Sequence, residues 1–539
     1  MRLARPTLHT ETLVLLAAVY LLAACNGPFW NAALGSRDWA LPGTWALAAA
    51  MAVSFTAAYV AFCGLVAARW TVRPLLAVLL VTGAALSYYI DRYGVFFDRG
   101  MLRNVLATQW SEARELLGPG FILHVLVFGI VPAALLWWPR LQRRPLLRAV
   151  AIRAAWIVGG IVVAVAAMLP VFQDFASMMR NDRQMRFLLT PGNAVVALLQ
   201  EAWSGSGRAP PASVPVGTDA RLAPTWQQRR PTLFVVVVGE TARAQNFGLN
   251  GYARDTTPEL ARRGVIPFTD VTACGTSTEV SLPCMFSAYG RRHYDEDKIA
   301  THESLLHVLK HAGVPVLWRD NQSGCKGVCQ GLPVEQVDQL PGVACPAGGC
   351  LDESLLHGLQ QRLDSAQGSL VLVLHQLGSH GPSYFRRYPP ASKRFQPACE
   401  QDELRRCSQA EIVNAYDNTI LYTDHVLGRV IDFLAAQQRF DTGLLYVSDH
   451  GESLGESGLY LHGVPYAIAP DVQKKVPMVA WLSPALATST KLDVQCLRAR
   501  AALPASHDNL FHSVLGLMDV QTSVYEAGMD LFRPCRAAP

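Results

Sequence analysis

A chain of 539 residues exceeds one ordinary domain, and a hydrophobic share of 51% is high for a wholly soluble protein. The formal charge of +5 sums two unlike parts: up to Phe172 there are 14 arginines, no lysine and 6 acidic residues, net +8, and the remainder nets −3. The basic excess thus belongs to an apolar front part, no nucleic-acid-binding motif accompanies it, and no nucleic-acid partner is expected.

Five apolar runs open the chain: Leu13–Cys25, Gly43–Ala68, Leu75–Ile90, Phe121–Trp138 and Ala154–Phe172. Most approach or exceed the roughly 18–20 residues that span a bilayer. The first is short unless Thr10 and Asn26 flank it, and it has a signal-peptide look. More apolar chain follows its Ala-Ala-Cys, which favours a retained helix. Loop arginines set the orientation. Arg2 and Arg5 precede the first run, Arg69 and Arg73 lie between the second and third, and Arg140, Arg143, Arg144, Arg148 and Arg153 lie between the fourth and fifth. All fall on one side, so the N-terminus is expected in the cytoplasm and everything after Phe172 outside it. Residues 1–172 therefore read as a five-helix transmembrane domain. Within it, Asp91–Gly118 carries apolar residues from Val95 to Leu117 at near-helical spacing, with charges between them. This reads as an amphipathic helix on the outer membrane surface or, equally, as a helix packed on its own bundle. His124 reads as a bundle-facing structural histidine.

Residues 173–230 read as membrane-proximal helices over Gln173–Trp203, followed by a linker over Ser204–Arg230 rich in Gly, Ser, Pro and Ala. Residues 231–539 read as an α/β domain. Short β-rich runs at Thr232–Val238, Val314–Trp318, Leu370–Leu374, Leu444–Val447 and Val476–Trp481 are expected as buried parallel strands. Helical patterns at Ser304–Ala312, Asp352–Gln367, Glu411–Gln438 and His507–Leu517 fill the gaps, giving a mainly parallel sheet sandwiched by helices. Ten of the 12 cysteines lie in this part, as near pairs Cys274/Cys284, Cys325/Cys329, Cys345/Cys350 and Cys399/Cys407, leaving Cys496/Cys535. Zinc-knuckle spacing fits poorly, and an exterior compartment is oxidising, so they read as disulfides.

Ligands of such sheets sit beyond the carboxyl ends of the strands. The first strand ends in Gly239-Glu240-Thr241, the third in His375 with His380 beyond it, and the fourth in Ser448-Asp449-His450-Gly451-Glu452. A carboxylate at a strand end is often only a helix cap. Two such ends, one with an adjacent Asp-His, point instead to a metal held by Glu240, Asp449 and His450. A hydroxyl from the Ser/Thr-rich loop Cys274–Cys284 can be the fourth ligand. One nitrogen and three oxygens form a harder set than is usual for zinc, which leaves manganese and magnesium open.

Five motifs occur in order: Val-Gly-Glu-Thr-Ala-Arg (Val238–Arg243), Cys-Gly-Thr-Ser-Thr (Cys274–Thr278), Trp-Arg-Asp-Asn (Trp318–Asn321), Gly-Ser-His-Gly-Pro (Gly378–Pro382) and Ser-Asp-His-Gly-Glu-Ser-Leu-Gly-Glu (Ser448–Glu456). Together they closely resemble the lipid A phosphoethanolamine transferases, which include the mobile colistin-resistance enzymes. The likeness runs over nearly the whole chain. It implies an alkaline phosphatase/sulfatase-like fold and a catalytic zinc held by Glu240, Thr278, Asp449 and His450, with a second, transient zinc also compatible. Thr278 would be the nucleophile, and Thr276 and Ser277 would shape its loop. His380 and His462 match histidines that contact the phosphoethanolamine group or a second zinc, and Lys326 matches a substrate-contacting lysine. Gln322 stands where the family commonly has Asn.

The implied activity is transfer of phosphoethanolamine from phosphatidylethanolamine to a lipid A phosphate through a phosphoethanolamine-threonine intermediate, conferring polymyxin resistance. The implied setting is a monomeric, multi-pass inner-membrane protein, among membrane lipids, with its catalytic domain in the periplasm. Other readings are a transferase acting on lipopolysaccharide core or another periplasmic glycan, and a membrane-anchored sulfatase or phosphodiesterase. A receptor with a degenerate enzyme fold conflicts with the intact set Glu240, Thr278, Asp449 and His450.

Overall fold

A computed structural model describes residues 5–35, 37–108, 110–181, 183–204, 213–224, 226, 229–346 and 349–537. Residues 205–212, 225, 227 and 228 of the expected linker lie outside the described residues. The chain divides into two compact units, Met1–Leu102 with Leu117–Ser206, and Arg103–Leu116 with Gly207–Pro539.

The first unit is helical. α1 (Thr10–Ala24) and α2 (Gly27–Leu34) meet at a bend of 63°. Asn26 sits in the bend, where Pro28 follows Gly27. Its side-chain amide donates to the Leu21 carbonyl and to the Thr190 carbonyl, both at 2.8 Å, and its Oδ1 accepts from the Thr190 N–H. The backbone groups that the bend strands are satisfied in this way. α3 (Pro42–Val66), α4 (Val72–Tyr93) and the run Leu146–Ala176, which opens with α6 (Leu146–Met168), are long and apolar enough to cross a bilayer. α3 and α6 pack together, and Ser54 Oγ donates to the Ala164 carbonyl at 2.6 Å. α5 (Pro119–Leu135) is apolar but shorter, and it is π-wound over Leu126–Ile130. α7 (Gly192–Ser204) follows. By length and composition the described residues hold three spans, or four if α1 and α2 count as one, against the five expected from hydropathy. The shortfall arises where Asn26-Gly27-Pro28 bends the first run and where α5 ends at Leu135, short of the end of the fourth.

The second unit is built on an eight-stranded sheet. Its strands are β1 (Thr232–Gly239), β2 (Ile266–Thr272), β3 (Val316–Asp320), β4 (Val334–Gln336), β5 (Leu370–His375), β6 (Asp441–Ser448), β7 (Lys475–Leu482) and β8 (Ala505–Ser506). The spatial order is β8-β2-β7-β6-β1-β5-β3-β4. β1 pairs in parallel with β5 and β6, β3 with β4 and β5, and β8 with β2, whereas β7 runs antiparallel to both β2 and β6. The sheet is therefore mixed, which corrects the expectation of a parallel strand at Val476–Trp481. A parallel return needs a crossover to the far edge. The segment 449–474 instead stays at the edge where β6 ends, with a short hairpin of Ser453–Leu454 and Tyr460–Leu461 and the four-residue helix Asp471–Lys474 on the way but no crossover helix, so β7 runs back.

β1 explains its own burial. Leu233, Val235 and Val237 enter one core, and Phe234, Val236 and Val238 enter the other. Alternate side chains point to opposite faces, so a strand covered on both sides must be apolar throughout. α10 (Gln409–Ala435) covers the first face, and α9 (Leu305–His311) and α11 (Asp508–Leu517) cover the second. The helix expected over Asp352–Gln367 is a 3₁₀ turn at Asp352–Leu356 and a helix at Leu359–Asp364. Gly358 between them lies in the left-handed region at φ +64°, which ends regular helix.

The start of the amphipathic segment packs on its own bundle, where Phe97, Met101 and Leu102 cluster with Leu86, Ala194 and Ala197. The segment forms helices Arg99–Ala107 and Trp110–Leu116, and residues 103–116 group with the second unit. There the buried Glu115 carboxylate accepts from the buried Arg387 guanidinium at 2.5 Å. Five disulfides pair Cys274–Cys284, Cys325–Cys329, Cys345–Cys350, Cys399–Cys407 and Cys496–Cys535, while Cys25 and Cys63 are free and buried.

Candidate metal and nucleophile site

Strand register brings the chemistry to one sheet edge. Gly239 of β1 lies opposite Ser448 of β6, so the next residues, Glu240 and Asp449, leave adjacent strand ends side by side. His375 at the end of β5 pairs with Val238 and with Asp320, the last residue of β3. Glu240, Asp449 and His450 are fully buried, and each offers a ligand atom within 4.8 Å of the others. His450 Nε2 lies 3.3 Å from Glu240 Oε1 and 3.3 Å from Asp449 Oδ2. His450 Nδ1–H donates to the Gly451 carbonyl at 2.9 Å, which turns Nε2 toward the carboxylates.

The Cys274–Cys284 loop delivers one hydroxyl to this cluster. Thr278 opens helix α8 (Thr278–Met285), and its Oγ1 lies 3.0 Å from Glu240 Oε2, 3.1 Å from Glu240 Oε1 and 3.3 Å from His450 Nε2. A helix N-terminus carries partial positive charge, which favours an anionic oxygen there. Thr276 is turned to another task. Its Oγ1 donates to the Val464 carbonyl at 2.7 Å, and its own carbonyl accepts from the Gly463 N–H. These two bonds strap the His462 loop to the Cys274–Cys284 loop. Ser277 is the buried residue before α8.

Two fully buried carboxylates against one imidazole demand positive charge. Burial alone would drive the His450 imidazole down, but Asp449 and Glu240 push it up to about 10. Burial and the neighbouring Glu240 push Asp449 up to about 6. Burial would also raise Glu240, but the hydrogen bond and charge of His450 hold it well below the usual carboxylate range. Asp449 Oδ2 makes no hydrogen bond among the described residues. An unsatisfied buried carboxylate oxygen, facing a second carboxylate, an imidazole nitrogen and a hydroxyl, fits a divalent cation.

His380 and His462 come to the same edge. Their ring centroids are 5.7 Å apart, and His462 lies 4.3 Å from the His450 ring. Burial pushes His380 down to about 3 against the pull of Glu240, so it is neutral at ordinary pH. Ser379 N–H donates to the Glu240 carbonyl, and Gly378 next to it lies at φ +55°, where a Cβ would come within 2.6 Å of that carbonyl oxygen. Arg387 Nε donates to the His380 carbonyl at 2.8 Å. Lys326, between the bonded Cys325 and Cys329, places Nζ 3.7 Å from the Glu279 carboxylate.

Contacts that no local sequence pattern gives complete the site. Thr241, at φ +61°, donates its N–H to Asp449 Oδ1 at 3.1 Å and its hydroxyl to Glu240 Oε1 at 2.7 Å. A β-branched residue held there costs about 1–3 kcal/mol of backbone strain. Gln322 Nε2 donates to Glu240 Oε2 at 3.0 Å, so the longer side chain still makes a polar contact at the site. His375 is fully buried with Nδ1 2.7 Å from Asp320 Oδ1; burial would lower it, but that carboxylate raises it.

His507 ties two halves of the site together. Its Nδ1 accepts from the Cys274 N–H at 3.1 Å, and its Nε2–H donates to the Ser448 carbonyl at 2.9 Å. Burial pushes it down to about 4, so the neutral ring keeps one donor and one acceptor. Its only sequence cue is the start of a helical pattern. His507→Leu would strand a buried N–H and a buried C=O, at about 1–3 kcal/mol each. We expect kcat to fall by about tenfold or more with little change in donor KM. His507→Asn, which retains an acceptor near Cys274, should recover part of the loss; equal kcat for wild type and His507→Leu would dismiss the role.

Comparison with known proteins agrees with this geometry. A family model described as Sulfatase matches residues 232–520, and one described as Phosphoethanolamine transferase EptA/EptB matches residues 55–203. Phosphoethanolamine transferase EptA of Salmonella typhimurium is 43% identical, over 87% of this chain and 86% of that protein. Phosphatidylethanolamine transferase Mcr-1 of Escherichia coli is 35% identical, over 96% of each. Among solved structures, the integral membrane lipooligosaccharide phosphoethanolamine transferase A of Neisseria meningitidis superposes with a TM-score of 0.94 at 36% identity, covering 99% of this chain and 100% of that one. Two family models, near full-length relatives and a matching full-length structure lead to one conclusion: the chain belongs to the EptA family of phosphoethanolamine transferases.

Proposed function

We propose that this chain is a zinc-dependent, multi-pass inner-membrane enzyme that transfers phosphoethanolamine from phosphatidylethanolamine to a phosphate of lipid A. The observation that carries the reading is the Thr278 hydroxyl at a helix N-terminus, 3.0 Å from Glu240 Oε2 and 3.3 Å from His450 Nε2. Glu240, Thr278, Asp449 and His450 would hold the zinc, which when bound favours the threonine alkoxide and polarises the phosphoryl group. Loop arginines keep the N-terminus cytoplasmic and the catalytic unit in the periplasm, with the first and fourth apolar runs counted as spans.

Thr278 Oγ1 loses its proton and attacks the donor phosphorus; the bond to the diacylglycerol oxygen breaks, and that oxygen leaves with a proton. The product is phosphoethanolamine esterified to Thr278. A lipid A phosphate oxygen then attacks the same phosphorus, and the threonine oxygen is released. The start of α8, the Lys326 ammonium and the N–H of neutral His380 and of His462 surround the phosphoryl group with donors. Glu240, through its bonds to Thr278, orients the nucleophile in both halves. A covalent intermediate formed in two half-reactions gives ping-pong kinetics. The ammonium added to lipid A lowers its negative charge, which weakens the binding of cationic polymyxins.

Mass spectrometry of lipid A from a polymyxin-sensitive Gram-negative host checks the reading. Cells expressing this chain should carry a phosphoethanolamine adduct that vector controls lack. Unmodified lipid A beside folded, membrane-inserted protein would sink it.

A further inference from the structure

Glu279 directly follows the nucleophile, in the first turn of α8. An acidic residue there is ordinary in itself, because it complements the helix dipole. Its setting is not ordinary. Its side chain is 26% exposed, yet its Oε2 is buried and makes no hydrogen bond among the described residues. Lys326 Nζ stands 3.7 Å from that oxygen, on a side chain that is only 10% exposed. Both partners are fixed. Glu279 rides on α8, and Lys326 sits at φ +47° inside the Cys325–Cys329 loop.

A carboxylate at this place opposes the chemistry next to it. The donor phosphodiester is an anion and must approach Thr278. A neighbouring negative charge repels it, the more so where burial lowers the dielectric. The opposition disappears if the substrate brings its own cation. Phosphoethanolamine does: two methylenes separate its phosphate from an ammonium. A fixed ammonium–carboxylate pair beside the nucleophile matches that zwitterion head to tail, with phosphate on Lys326 and ammonium on Glu279. We propose that Glu279 reads the donor's ammonium group and makes the site selective for ethanolamine-bearing phospholipids. The proposal deepens the transferase reading and rests on it.

The test uses the full-length, zinc-loaded protein in detergent micelles. Release of fluorescent diacylglycerol is measured from labelled phosphatidylethanolamine and from a labelled donor whose ammonium is replaced by a hydroxyl. Wild type should prefer the amine donor. Glu279→Gln should lower kcat/KM for the amine donor by about tenfold to a hundredfold, the range of a lost charge-assisted hydrogen bond, and leave the hydroxyl donor unchanged or faster. Glu279→Asp should keep part of the preference, and Lys326→Met should slow both donors alike. Equal losses on both donors with Glu279→Gln would show that Glu279 only holds Lys326, and would overturn the proposal. If that variant does not fold, wild type decides: phosphoethanolamine should inhibit at least about tenfold better than ethylene glycol phosphate, and equal inhibition overturns the proposal. Failure of the transferase reading looks different, because wild type would then release no diacylglycerol from phosphatidylethanolamine.

Discussion

Thr278→Ala should lower transfer by at least about 1000-fold while leaving the protein folded, since removing a nucleophile removes the covalent route itself. The geometry offers no ready substitute. Thr276 Oγ1 is committed to the Val464 carbonyl, and Ser281 Oγ to the Asp449 carbonyl. Thr278 is buried against Glu240, so loss of its side chain leaves the sheet edge and the Cys274–Cys284 bridge in place. Thr278→Ser keeps an oxygen and should retain a measurable fraction of activity. Two measurements decide the matter: diacylglycerol release, and intact-protein mass after donor is added without acceptor. Wild type should gain one phosphoethanolamine, and Thr278→Ala none. Activity above about a tenth of wild type in Thr278→Ala would move the nucleophile elsewhere.

Chelation, or Asp449→Asn, should be comparably severe. Each should remove activity by about 1000-fold, and zinc should restore only the chelated wild type. The electrostatics supply the reason and a pH signature. In the metal-free cluster His450 is pushed up to about 10 and Asp449 up to about 6, so protons hold part of the charge that a cation would carry. Zinc needs a neutral imidazole and ionised carboxylates, so its entry expels those protons. Apparent affinity should therefore fall about tenfold per pH unit below pH 10 as His450 competes, and more steeply below about pH 6 as Asp449 joins. Equilibrium dialysis against zinc across pH 5 to 9, with metal content read by mass spectrometry, checks the slope. Affinity that rises on acidification, or activity that survives exhaustive chelation, would contradict the assignment.

The parts of the site that were legible in the sequence are those that local chain chemistry announces. Glu240 and Asp449-His450 end apolar β-rich runs, and such runs put their last residues on one sheet edge. The hydroxyl-rich Cys274–Cys284 loop stood out by composition. The parts that were not legible depend on contacts between residues distant in sequence. Thr241 reaches Asp449, Gln322 reaches Glu240 and His507 reaches Cys274 across 208, 82 and 233 residues, and no local pattern encodes those pairings. β2 was missed because Pro267 and Asp270 break the look of a strand, although it leads straight into the Cys274–Cys284 loop. The direction of β7 was misread because a buried apolar run reads the same both ways; only the path of 449–474 sets it. In the membrane unit hydropathy marked apolar runs, but the bend at Asn26 depends on Thr190, which lies far along the chain.

The central place of β1 also dictates a timetable for assembly. It is the first strand of the sheet to be made, yet both its neighbours, β5 and β6, are synthesised more than a hundred residues later. Until they arrive, Leu-Phe-Val-Val-Val-Val waits with both edges open, a template for pairing with any other nascent chain. The Cys274–Cys284 loop can close early, but its Cys274 N–H gains His507 only when the last helix is made. A partly emerged chain therefore exposes a sticky strand and lacks a complete site, and a truncation that removes His507 should be impaired for the same reason.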